Sequence, residues 1–158
     1  GSMFLVNALG KDKKLKNFYL HHEQSCTMAA DVYGRIKKKP AIVCVTTGPG
    51  GINAINGVFG AYTDSVPMII LSGQVKTATS MVIQKKRNLR QLGDQENDII
   101  YMVKKITKKT LLVKSQNDLL KNFDKLITLS SSGRPGPIWI DIPIDIQGEE
   151  LNRWVLLN

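Results

Sequence analysis

Short apolar runs alternate along this chain with longer segments in which apolar residues recur every three or four positions. The run Ala41–Val45 is apolar throughout and rich in β-branched residues, a pattern typical of a strand buried on both faces of a parallel sheet. Similar runs follow it, and a shorter candidate precedes it. Strands are therefore predicted over residues 17–20, 41–45, 67–71, 110–113 and 138–142.

The segments between these runs have helical periodicity. Residues 75–97 are polar and basic, and we expect a long loop there with some helix. Residues 133–137 predict a turn, because each proline fixes φ and lacks a donor. Helices are predicted over residues 4–9 (ending at Gly10), 23–36, 52–62 and 117–129.

Strands that alternate with helices form right-handed βαβ units, whose helices cover both faces of a parallel sheet. The predicted fold class is therefore α/β: a three-layer, doubly wound, mostly parallel sheet with helices on both faces. At 158 residues and 42% hydrophobic content, the chain suits one compact domain.

The composition excludes several classes of protein. No apolar run approaches the roughly 20 residues of a membrane span, and the N-terminus lacks signal-peptide features. We therefore expect a cytoplasmic protein without a membrane partner. Cys26 and Cys44 have no further Cys and no clustered His to complete a metal site, so we expect reduced thiols and no metal ligands in this chain.

The net charge of +9 comes from 22 Lys and Arg against 13 Asp and Glu. A basic balance is compatible with nucleic acid, a membrane surface or a polyanionic cofactor. The lysines fall in short groups near predicted element ends, and no aromatic residues are interleaved with them for base stacking. We therefore expect a solvated basic surface and no nucleic-acid partner.

Chemically useful residues follow three predicted strands. Glu23, the loop Gly48-Pro49-Gly50-Gly51 and the pair Gly73-Gln74 each come after a strand. Ligands of such sheets bind at the carboxyl ends of the strands. The three positions therefore predict one shared crevice.

Each of these features also has a structural interpretation. The glycine segment allows close approach of phosphate to a helix N-terminus, but it matches neither common phosphate-binding motif. On its own it is more typical of a tight strand-to-helix turn. Glu23 in a first helical turn is favoured by the helix dipole alone. His21 and His22 have no nucleophile motif nearby, which disfavours hydrolytic catalysis.

Six blocks, taken together and in order, resemble the N-terminal pyrimidine-binding domain of thiamine-diphosphate enzymes of the acetolactate synthase group. They extend over nearly the whole chain. The blocks are His22-Glu23-Gln24 with Ala29-Ala30 and Tyr33-Gly34-Arg35; Thr47-Gly48-Pro49-Gly50 with Asn53 and Ala61; Asp64-Ser65-Val66-Pro67; Ser72-Gly73-Gln74-Val75; Gly133-Arg134-Pro135-Gly136-Pro137; and Asp141-Ile142-Pro143.

The resemblance implies roles for individual residues. Glu23 is the catalytic glutamate that contacts N1′ of the cofactor's aminopyrimidine and favours the imino tautomer, which removes the thiazolium C2 proton. Pro49 and Asn53 line the pyrimidine pocket, and Gln95 approaches the reactive side. Gly93-Asp94-Gln95-Glu96 stands where the family has Phe-Gln-Glu, which leaves the alignment of Gln95 open. The implied cofactor-binding set is Glu23, Gly48, Pro49, Gly50, Asn53, Gln74 and Gln95.

The resemblance also implies a fragment of a longer enzyme. Residues 1–147 correspond to the pyrimidine-binding domain without its first strand, and 148–158 to the start of a linker to a middle domain. The family's diphosphate and Mg²⁺ motif, Gly-Asp-Gly followed by Asn-Asn, is not in this chain. Mg²⁺ is then bound through a C-terminal domain, and a middle domain can carry FAD.

The implied partners are a 2-keto acid and the diphosphate-binding domain of a second subunit in a homo-oligomer. The implied activity is that of a carboligase or decarboxylase, and the isolated fragment is expected to be inactive. An alternative is a binding or regulatory module that keeps the fold without the chemistry, in which Glu23 is only structural.

Overall fold

The computed structural model describes residues 1–86 and 88–150. Its centre is a four-stranded sheet in the order β1-β2-β4-β3, and every pair of neighbouring strands is parallel. The strands are β1 (Ala41–Val45), β2 (Met68–Gln74), β3 (Lys109–Leu112) and β4 (Pro137–Pro143). The two central strands, β2 and β4, are buried along their whole length.

Helices cover both faces of the sheet. They are α1 (Met3–Lys11), α2 (Glu23–Lys37), α3 (Pro49–Thr63), α4 (Met81–Gln84), α5 (Ile99–Val103), α6 (Gln116–Ser131) and α7 (Ile144–Gly148), with a 3₁₀ turn at Thr77–Thr79. Alternate residues of each central strand point to opposite faces. Met68 and Ile70 pack with α2, α3 and α5, whereas Ile69 and Leu71 pack with α1, α6 and α7. The predicted three-layer α/β fold is thus confirmed.

Two strand predictions need correction. Residues 17–20 form no strand, because within the described residues none of the four strands pairs with them, and a strand without a partner is not stable. Phe18 and Tyr19 are 75% and 72% exposed. Strand β1 lies at the edge of the sheet and is not buried on both faces: Ile42 is 47% exposed, while Val43 and Val45 face the core.

Some element boundaries differ from the predictions. Helix α3 begins at Pro49, so Pro49, Gly50 and Gly51 form its first turn and only residues 46–48 are loop. Gly73 and Gln74 are the last residues of β2 rather than a segment after it. The short helices α5 and α7 were not predicted, because each has too few residues to show helical periodicity. Of the predicted linker, residues 151–158 lie outside the described residues, and the domain boundary stays a prediction.

Helices α2 and α3 pack side by side through Gly57. A Cβ at Gly57 would lie 2.3 Å from Oγ1 and 2.6 Å from Cβ of Thr27, which is fully buried. Thr27 is one turn after Glu23, and Gly57 is one turn after Asn53. This close contact therefore places the N-terminus of α2 beside the N-terminus of α3.

Replacing Gly57 with alanine is expected to lower the free energy of unfolding by about 1–3 kcal/mol, measured by urea denaturation. The added Cβ would also lie 2.9 Å from the backbone carbonyl carbon of Thr27, so a side-chain rotation cannot relieve the overlap. Gly60→Ala in the same helix is the matched control, because nothing lies within 4 Å of its Cβ. Helix propensity should then raise stability by about 0.5–1 kcal/mol. Equal effects of the two substitutions would contradict the packing argument.

Candidate functional site

The site is at the carboxyl end of β1, where α2 and α3 both begin. His22 precedes α2, and its Nδ1 accepts a hydrogen bond from the Gln24 N–H at 3.2 Å. Capping of α2 is thus a structural role for the His22 side chain. His21 is exposed. Glu23 is the first residue of α2 and is half-buried, and the helix dipole favours a carboxylate there.

The carboxylate of Glu23 contacts α3 on two sides. Asn53 Nδ2 donates a hydrogen bond to Glu23 Oε2 at 3.1 Å. A Cβ at Gly50 would lie 3.2 Å from Glu23 Oε1 and 2.8 Å from Cγ2 of Thr46. The backbone of Gly50 therefore packs closely against the carboxylate, and a side chain there would displace Thr46 or Glu23. The structure thus brings together three of the predicted site residues: Glu23, Gly50 and Asn53.

The turn before α3 requires glycine at position 48. Gly48 has φ of 65° and ψ of −120°, a conformation that is strained for a residue with a side chain. Its Cβ would also lie 2.3 Å from the carbonyl oxygen of Gln95. Pro49 follows at the first helical position and is exposed. The structure therefore brings the backbone of Gln95 against Gly48, while the side chain of Gln95 is exposed.

Gln74 is the predicted site residue that lies apart from this group. Its side chain is buried, and its Nε2 donates to Asp141 Oδ2 at 2.9 Å and to the Asn97 carbonyl at 3.1 Å. Its Oε1 accepts from the Val75 N–H at 2.9 Å. The amide is thus engaged by the protein on both atoms, and a direct contact of Gln74 with cofactor stays a prediction.

Asp141 is a buried carboxylate in the middle of the sheet, 2% exposed. Ser72 Oγ donates to its Oδ1 at 2.6 Å and in turn accepts from Trp139 Nε1 at 2.7 Å. Burial raises the pKa of Asp141 to about 6, although the hydrogen bonds from Ser72 and Gln74 oppose the rise. Sequence reasoning gave Asp141 no role; the available signal was an acidic residue within an otherwise apolar buried strand.

The two cysteines do not supply a nucleophile. Both thiols are free and half-buried. Burial raises the pKa of Cys26, and the nearby Glu23 carboxylate raises it further. Burial raises the pKa of Cys44 to about 11. Because the thiolate is the reactive form, neither side chain is activated near neutral pH.

All seven predicted site residues fall within a region that matches a known family. A sequence model described as "Thiamine pyrophosphate enzyme, N-terminal TPP binding domain" matches residues 1–98, more than half of the chain. The chain belongs to this family. The resemblance found in the sequence is therefore confirmed, and the TPP-binding domain has the carboxylate of Glu23 at the start of α2.

The relatives of this TPP-binding domain include several acetolactate synthases. The chain is 43% identical over 153 residues to the acetolactate synthase large subunit of Buchnera aphidicola subsp. Acyrthosiphon pisum, covering 95% of this chain and 25% of that protein. It is 35% identical over 146 residues to the chloroplastic synthase of Arabidopsis thaliana, covering 92% and 20%. The Escherichia coli isozyme 3 large subunit is 39% identical over 142 residues, covering 90% and 23%. The chain thus spans a quarter or less of these relatives' length.

The described residues of the TPP-binding domain contain neither a candidate membrane span nor a candidate metal cluster. Across residues 1–86 and 88–150, no helix is both long and apolar enough to cross a membrane. The same residues contain no group of three or more His, Cys, Asp or Glu side chains arranged to hold a metal ion. The cytoplasmic location stays a prediction, since the relatives include chloroplastic and mitochondrial synthases as well as bacterial ones.

Proposed function

We propose that this chain is the pyrimidine-binding domain of a thiamine-diphosphate-dependent enzyme that acts on 2-keto acids, an acetolactate synthase-like carboligase or decarboxylase. The observation that carries the proposal is the Glu23 carboxylate, fixed by Asn53 and bordered by the bare backbone of Gly50. The names of the relatives support the substrate class.

The residues at this site suit an aminopyrimidine. Asn53 holds Oε2 of Glu23, and among the described residues no donor is hydrogen-bonded to Oε1, which leaves Oε1 for a ring nitrogen. The backbone of Gly50 packs closely against the carboxylate, so the ring would reach Oε1 from the side away from Gly50. Pro49 and Asn53 would border the ring. Gly48 and Gln95 would form the wall beyond it.

The cofactor supplies the carbanion-stabilising thiazolium when it is bound. The contribution of this chain is acid–base and positional. Glu23 would share a proton with N1′ of the ring, and a half-buried carboxyl held by a neighbouring amide keeps that proton at a fixed point. Asn53 restricts the rotation of the carboxylate, which would keep its free oxygen available to a bound ring.

The binding sites for Mg²⁺, the diphosphate group and FAD would lie outside this chain. Mg²⁺ and the diphosphate group would bind to a C-terminal domain of a second subunit in a homo-oligomer, and FAD could occupy a middle domain. These assignments rest on the family resemblance. The alternative of a non-catalytic binding or regulatory module predicts the same fold without proton exchange at the cofactor.

The complete gene product, supplied with thiamine diphosphate and Mg²⁺, should exchange the cofactor's C2 proton with solvent and consume pyruvate or another 2-keto acid. Proton NMR in D₂O measures the first reaction, and loss of keto acid measures the second. This chain alone should show no turnover and weak cofactor binding by calorimetry. Folded, cofactor-bound gene product without C2 exchange would support the non-catalytic alternative, and tight cofactor binding by this chain alone would contradict the shared-site proposal.

A further inference from the structure

A chain of buried hydrogen bonds connects the centre of the sheet to the segment 93–98. Asp141 on β4 accepts from Gln74 on β2, and the same Gln74 amide donates to the carbonyl of Asn97. The Val75 N–H donates to the other amide atom, Oε1, which fixes the orientation of the amide. Because Oδ1 of Asp141 accepts from Ser72, the carboxylate is held from both sides.

The segment 93–98 lies directly over the turn that precedes α3. Gln95 has a positive φ of 54°, and its carbonyl oxygen occupies the space that a Cβ at Gly48 would need. Within the segment, the Glu96 N–H donates to the Gly93 carbonyl at 3.2 Å, and the Gly93 N–H donates to Glu96 Oε2 at 3.2 Å. These local bonds shape the loop. The Met81 N–H donates to Glu96 Oε1 and joins the segment to α4, and the bond from Gln74 joins it to the sheet.

We propose that Gln74 and Asp141 are positioning residues that hold the segment 93–98, and with it Gln95, against Gly48. A buried amide donor without an acceptor is strongly disfavoured, so Gln74 favours the loop position in which the Asn97 carbonyl is within reach. Asp141 keeps the amide turned toward the loop, because its carboxylate can only accept. The segment is therefore attached to the sheet independently of any ligand.

This inference rests on the proposed function only where it makes the segment a wall of the cofactor site. The attachment itself is a property of the chain and can be measured without cofactor. A failure of the attachment and a failure of the proposed function are therefore distinguishable.

Hydrogen exchange by NMR on this chain tests the attachment. In Gln74→Met, which keeps the length of the side chain but removes the amide, the Gly93 and Glu96 amides should exchange at least about tenfold faster. The amide of Val58, in α3, should keep its rate. Gln116→Met is the matched control, because it makes the same change at a glutamine whose amide donates to the Glu150 carbonyl and not to the segment 93–98. Equal acceleration in both variants, or none in Gln74→Met, would overturn the proposal.

A second measurement needs no substitution and covers the case in which Gln74→Met does not fold. In the unsubstituted chain, the side-chain amide protons of Gln74 should exchange with water at least about tenfold more slowly than those of the exposed Gln95. Similar rates for the two side chains would show that the Gln74 amide is not held between Asp141 and Asn97.

Discussion

Replacing Glu23 with glutamine in the complete gene product is expected to slow C2 proton exchange of bound thiamine diphosphate by about 10²–10⁴-fold, the usual size of an acid–base contribution. Glutamine has the same length, and its oxygen can still accept the hydrogen bond from Asn53. It cannot share a proton with a ring nitrogen as a carboxyl group does. Quenched-flow exchange in D₂O, followed by proton NMR, measures the rate.

Glu149→Gln provides the matched control for this experiment. It makes the same chemical change at an exposed position that follows α7, so the exchange rate should be unchanged. Cofactor binding and the urea midpoint should also be retained in Glu23→Gln, which separates lost chemistry from lost folding. Exchange at the unsubstituted rate in a folded Glu23→Gln protein would exclude the role proposed for this carboxylate.

The stability of this chain should fall by about 2 kcal/mol as the pH rises from 4.5 to 7. The pKa of Asp141 is 3.8 in the unfolded chain and about 6 in the fold, because burial penalises the charged form and the negative charges of Asp98 and Glu96 add to it. The folded state therefore binds the proton more tightly. Its extra stability is fully present below pH 3.8 and is lost as the pH rises through about 6.

Urea denaturation of the unsubstituted chain and of Asp141→Asn, at intervals between pH 4.5 and 7, measures this dependence. Asparagine cannot ionise, so the decline attributed to Asp141 should disappear in the variant. Burial alone would raise the pKa of Asp145, but its hydrogen bonds, chiefly those from Thr77, lower it. This contribution to stability has the opposite sign and is lost only as the pH falls below 3.8. It therefore lies outside the measured range. An equal slope in both proteins would show that Asp141 is not the titrating group.

Local pattern was sufficient for most of the fold. Strands β1, β2 and β4 each contain an apolar run of four or five residues, whereas β3 is half polar. The longer helices between them show clear periodicity. Residues 17–20 show the limit of the method, because β propensity is present there but a strand also needs a partner. The pattern predicts a start of α3 near Ile52 instead of Pro49, because glycines are more typical of loops, although a helix can begin with Pro and Gly.

The sequence indicates residues of the candidate site, but it does not indicate how they are arranged. Glu23 and Asn53 followed from the family resemblance, and the structure places them in hydrogen-bond contact. The arrangement around Asp141 could not be predicted in this way. It joins β2, β4 and the segment 93–98, and such contacts depend on the order of strands in the sheet rather than on neighbouring residues.

The close contact between Thr27 and Gly57 also bears on how this domain can vary. The carboxylate of Glu23 takes its position from the contact of one helix with another, one turn further along each helix. The surface segment that leads into α2, residues 12–21, has no part in that contact. Insertions and deletions in this segment are thus separated from the Glu23 carboxylate, so the connection can change in length while the contact of α2 with α3 is kept.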